Sequence, residues 1–144
     1  EANDEAEEAE DVEGAEDDRI VALQRALVGE AAEAVAARRF KVAFDHVESQ
    51  TDAGSPWPLA LGGGAGLEDV EVLYAIIHKA LVRSGMAPRR QPDFTPHMAL
   101  LRDPAQVRET PVEPVRWTVH DFVLVYANPA EGRHEVVERF PLMD

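Results

Sequence analysis

The chain has no cysteine, which excludes disulfide cross-links and any mechanism built on a thiolate. Basic residues are scarce: 14 Lys and Arg stand against 28 Asp and Glu, for a net charge of −14. Aromatic residues make up only 6%. A dense basic patch interleaved with aromatics is therefore lacking, and strong non-specific RNA binding is not expected. No apolar run approaches the roughly 18 residues of a membrane span, so no membrane partner is expected. A basic-then-apolar leader is also missing, which makes the cytoplasm the default compartment. The five histidines fall at no metal-ligand spacing from one another, and no H-E-x-x-H pattern occurs, so neither a catalytic metal nor another cofactor is expected. No G-x-S-x-G context supports a serine nucleophile.

The acidic charge is concentrated at one end. Glu1 to Arg19 holds 11 acids and one base, and the rest of the chain is only mildly acidic. Residues 1–18, rich in Glu, Asp and Ala with a single Val, bury too little apolar surface to offset their ordering entropy. They read as a disordered tail; an acidic arm for a basic partner is the functional alternative. Residues 19–144 are long enough for one domain with a core, and the 45% apolar content is ordinary.

From Arg19 the spacing predicts a helix with Ile20, Leu23, Leu27, Ala31, Ala34 and Val35 on one face. Phe40, Val42 and Phe44 alternate as in a half-buried strand, with His46 continuing that face. Trp57 to Leu61 reads as a second strand. Gly62-Gly63-Gly64-Ala65-Gly66 lacks the Lys-Ser or Lys-Thr of a phosphate loop and reads as a flexible connection. A second helix follows from about Leu67 to Ser84, with Gly85 as its C-terminal cap; His78 reads as a surface residue on it. Three further strands are expected, His97 to Arg102, Trp117 to Tyr126 and His134 to Phe140. Pro104, Pro111 and Pro114 predict a loop between the first two. Helices and strands do not alternate one for one, which favours an α+β fold over a doubly wound one.

His97 stands apart from the other histidines. Pro96 keeps Thr95 out of helical geometry, and the alternation of His97, Ala99 and Leu101 against Met98, Leu100 and Arg102 aims His97 and Ala99 from one strand face. Phe94-Thr95-Pro96-His97-Met98-Ala99-Leu100-Leu101 resembles the second histidine motif of the 2′-5′ RNA ligase family, within the two-histidine phosphoesterases. Val112 to Val119 with Phe122 to Val125 resemble that family's following loop and strand, and Glu138 to Leu142 its closing strand. Arg39 to Ser49 and Leu59 to Leu81 are similar to its central strands and second helix, so the likeness covers roughly Arg19 to Leu142.

The resemblance implies a bilobal α+β fold, mostly antiparallel sheets packed with two main helices. It implies metal-independent chemistry on RNA ends or nucleotides carrying a 2′,3′-cyclic phosphate, by hydrolysis or by 2′-5′ ligation. Such a reaction needs a base for the incoming water and an acid for the departing ribose oxygen, and histidine suits both. His97 would be one of the pair, the base for water, with Arg102 a candidate phosphate contact or else a solvated strand-end residue. Ala99 occupies the position of the family's phosphate-holding Thr or Ser. The first motif, expected on a strand ahead of the first helix, has no counterpart there, since only the acidic tail precedes it. The residues two beyond the other histidines are Glu48, Ala80, Phe122 and Val136, none a hydroxyl. The chain is thus expected to lack N-terminal strands, to be inactive alone, and to dimerise through an unpaired sheet edge. The alternatives are a catalytically degenerate module that binds RNA ends or 2′-phosphates, and a structural domain in which His97 merely packs.

Overall fold

The computed structural model describes residues 2–52, 54–91, 93–128 and 130–144, with side chains from residue 18 onward. The chain divides into two compact units, Glu1–Val35 with Ile77–Arg89, and Ala36–Ile76 with Arg90–Asp144.

In the first unit, helix α1 spans Ala2–Glu33. It therefore includes the acidic segment for which burial arguments point to disorder. Ala and Glu are strong helix formers, and helical backbone satisfies its own hydrogen bonds without needing a buried face. The predicted apolar stripe is only partly covered. Ile20 and Leu23 are 50% and 62% exposed, and burial begins at Leu27 and is complete at Ala31 and Ala32. Periodicity marks the face that seeks cover and does not guarantee that something covers it. Helix α2, Leu67–Arg83, contributes its last turns to this unit. It closes as the sequence predicts: Gly85 has φ +75°, its N–H donates to the Val82 carbonyl, and the Met86 N–H donates to Leu81. His78, expected on the surface, is half-buried in α2.

The second unit is built on a four-stranded antiparallel sheet in the order β3-β2-β1-β4. Its strands are β1 (Phe40–Ser49), β2 (Trp57–Gly62), β3 (Met98–Asp103) and β4 (Thr110–Val119). Strands β5 (Asp121–Asn128) and β6 (Arg133–Pro141) form a separate two-stranded antiparallel sheet. The core is Val42, Phe44 and Leu61, with Phe40, Val47, Leu67, Val70, Met98, Val112 and Val119 packed around it. Burying a Val or Phe side chain stabilises by about 1.5–3 kcal/mol. This cluster fastens the first turns of α2 to β1 and β2.

Three local features depart from the sequence expectations. Pro111 and Pro114 lie inside β4 rather than in a loop. The sheet order explains this, because β4 is an edge strand bonded only to β1, and an edge tolerates residues that lack an N–H. The segment from Trp117 to Tyr126 is two strands, parted at His120, whose carbonyl accepts from the Leu142 N–H at 2.8 Å. The pairing of β1 with β4 is irregular between Phe44 and His46. As a result Val47, not His46, joins Phe44 in the core, and His46 faces Gly62 with its Nδ1 3.0 Å from Asp45 Oδ1.

The glycine-rich segment after β2 is seated on the sheet rather than being a loose connection. The Ala43 N–H donates to the Ala65 carbonyl at 2.8 Å, extending the β1 edge beyond the point where β2 stops pairing. Gly64 has φ +96°, and a Cβ built on it would overlap the Ala43 carbonyl oxygen. Only glycine lets the backbone approach this closely.

Candidate functional site

His97 lies one residue before β3, at the end of an extended run that Pro96 anchors as a buried residue. Its ring is exposed, and Nδ1 is 2.9 Å from the Thr95 carbonyl oxygen. A carbonyl can only accept, so Nδ1 carries the proton and donates. In the neutral ring that leaves Nε2 with the free lone pair. The backbone thus fixes both the ring orientation and the nitrogen that can take a proton.

His97 borders a cavity of about 370 Å³. Phe40, Val42, Phe44 and Trp117 form its sheet wall, and Val70 and Leu73 of α2 form another. Phe44 and Trp117 stack with centroids 5.5 Å apart, which stiffens that wall. The polar residues among the lining are His97 and Asp121. Asp121 is tied to Arg139 at 3.3 Å, so its carboxylate is already partly neutralised. An apolar cavity with few polar groups at its border is the usual form of a small-ligand site.

Arg102 and Ala99 are not among the residues lining that cavity. The Arg102 guanidinium donates to the Pro56 carbonyl at 3.3 Å. A bulge alters the face it shares, since Ala99 pairs with Ala60 and Leu101 with Leu59, leaving Leu100 as the extra residue. Arg102 pairs with Pro58, two residues from Ala60, and so lies on the Ala99 face rather than the opposite one that strict alternation predicts. The remaining histidines do not border the cavity. Among the described residues no cluster of His, Asp or Glu is arranged to hold a metal.

Sequence reasoning missed Asp121 and Phe94 as cavity residues. Asp121 reads as one position in a continuous strand, and its place on the cavity follows the break at His120. Phe94 carried a signal, lying three residues before His97 in the run that Pro96 keeps extended.

No family model and no curated protein matches the sequence. Solved structures do. Escherichia coli LigT complexed with 3′-AMP superposes with a TM-score of 0.68 at 22% identity, covering 85% of this chain and 71% of that one. The chain has the LigT fold. A phosphoesterase structure agrees at a TM-score of 0.67, 22% identity and the same coverage. The protein TT0787 of Thermus thermophilus matches less closely, with a TM-score of 0.50, 24% identity, and 79% and 68% of the two chains. The LigT-like fold bears out the expected α+β class, antiparallel sheets with two helices. LigT has also been solved with NADP+ and with ATP. No helix among the described residues is long and apolar enough to cross a membrane.

Proposed function

We propose that this chain is a 2′-5′ RNA ligase-like phosphoesterase domain that takes RNA ends bearing a 2′,3′-cyclic phosphate, with His97 as one of its acid/base groups. The observation that carries this reading is His97 itself: on a LigT-like fold, its ring is held by the Thr95 carbonyl at the border of the apolar cavity. In hydrolysis, Nε2 removes a proton from water as the water oxygen bonds to phosphorus. The bond from phosphorus to one ribose oxygen breaks, and that oxygen takes a proton from an acid. Arg102 is the proposed phosphate contact on the strength of the resemblance alone, since it shares the Ala99 face of the sheet while Met98, on the opposite face, lines the cavity.

Two features limit turnover by this chain. The acid role needs a second histidine, and no His-x-Ser or His-x-Thr occurs in the 144 residues. Ala99 also removes one hydroxyl donor, a loss worth on the order of 2–4 kcal/mol of transition-state stabilisation. The 144 residues by themselves therefore bind such ends and turn them over far more slowly than a two-histidine site. The test is binding and hydrolysis of a short RNA ending in a 2′,3′-cyclic phosphate, compared with the same RNA ending in a hydroxyl. Preferential binding that His97→Ala weakens supports the proposal; equal binding of the two ends contradicts it.

A second copy of the chain is the proposed partner for the β5–β6 sheet. That sheet has two strands, and Val123, Val125 and Val136 on it are 38–49% exposed. Sedimentation that shows only monomer at micromolar concentration would exclude the dimer.

A further inference from the structure

A second concavity, of about 410 Å³, adjoins the His97 cavity through a shared residue, Phe94. Its walls are Glu71 and Tyr74 from α2 and Gln91, Asp93 and Phe94 from the segment ahead of β3. Glu71 and Tyr74 are three apart, so they share one helix face. The Tyr74 and Phe94 rings stack with centroids 4.2 Å apart at 16°, which fixes the plane of Phe94 while leaving it 38% exposed. An exposed, pinned aromatic ring is a platform on which a nucleobase can stack.

We propose that this concavity is a nucleobase subsite that selects guanine, placing the base on Phe94 while its ribose phosphate reaches His97. The inference rests on the phosphodiester reading above and deepens it. Three residues of extended chain put the Cα atoms of Phe94 and His97 at most about 10 Å apart, within the reach of one nucleotide. The polar groups decide which part of the nucleotide sits here. Glu71 and Asp93 are carboxylates that repel phosphate and accept hydrogen bonds, so they suit a neutral ring that presents donors. Guanine alone among the four bases carries two adjacent donors, N1–H and the 2-amino group, matching one carboxylate in a bidentate pair. Adenine and cytosine set an acceptor beside their amino group, and uracil flanks its single N–H with two acceptors. The Gln91 side-chain amide has N–H donors for the guanine O6 or N7.

The test is calorimetric titration of the full chain with the 2′,3′-cyclic monophosphates of guanosine, adenosine, cytidine and uridine, with guanosine and with spermidine. The guanosine compound is expected to bind about tenfold more tightly than the other three. Asp93→Asn, at an exposed position, should abolish that preference, so that the guanosine compound binds no more tightly than the other three. Phe94→Leu, which keeps apolar bulk, should weaken all four alike. Equal affinity for the four cyclic nucleotides overturns the guanine subsite and leaves the phosphodiester reading intact. Guanosine binding as tightly as its cyclic phosphate, and lost in Asp93→Asn, supports the base subsite and removes the phosphodiester reading. Spermidine binding without nucleotide binding marks a cation site and overturns the inference.

Discussion

Replacing Gly64 and Gly85 by alanine separates a backbone that must be close to its neighbour from one that must only turn. Both glycines have positive φ, +96° and +75°. Alanine in that region costs about 1–2 kcal/mol, partly offset by the roughly 0.4–1 kcal/mol gained from restricting the unfolded chain. At Gly85 nothing lies within 4 Å of the new methyl group, so the net loss should be about 1 kcal/mol. At Gly64 the methyl would overlap the Ala43 carbonyl oxygen, which belongs to β1 and cannot turn aside. The loop must lift, and the Ala43–Ala65 hydrogen bond goes with it, adding about 0.5–1.5 kcal/mol for the bond and more for the unpaired N–H. The expected total for Gly64→Ala is about 3 kcal/mol. Urea unfolding followed by circular dichroism reads both variants on one scale. If Gly64→Ala costs no more than Gly85→Ala, the loop is not seated on β1 and the reasoning about this edge is refuted.

Phe44→Ala should cost about 3 kcal/mol, the lower end for a buried phenylalanine, because one side of the ring already borders the cavity. Thermal unfolding should show a midpoint lowered by about 10 °C at this chain length. Arg139→Ala, which breaks an ion pair whose side chains are 64% and 38% exposed, should change stability by less than about 1 kcal/mol in the same assay. Arg102→Ala should weaken binding of a cyclic-phosphate RNA end without weakening that of guanosine, and equal losses for both would remove Arg102 from the phosphate site.

Much of the fold is legible in the sequence where a local rule governs it. Gly85 and the apolar spacing from Leu67 to Leu81 mark α2, and the alternation of Phe40, Val42 and Phe44 marks β1, because helix caps and strand faces follow from the nearest residues. The bulge at Leu100 and the irregularity between Phe44 and His46 are invisible to alternation. Each is set by a neighbouring strand far away in sequence, and each moves a residue of interest to another face, Arg102 in one case and His46 in the other. Pro111 and Pro114 look like loop residues until the sheet order makes β4 an edge. At the site, His97 was legible from Pro96 and the apolar run after it. Asp121 was not, because its place on the cavity that His97 borders follows the break between β4 and β5 at His120.

The most direct measurement of the central claim is an NMR titration of the His97 imidazole. The chain, labelled with nitrogen-15 in its histidines, is mixed with a dinucleotide ending in a 2′,3′-cyclic phosphate. The structure predicts that the His97 Nε2 resonance shifts on binding, while the hydrogen bond to the Thr95 carbonyl keeps the proton on Nδ1. Binding of the dinucleotide with the His97 ring resonances unchanged would place the phosphate elsewhere and contradict the account.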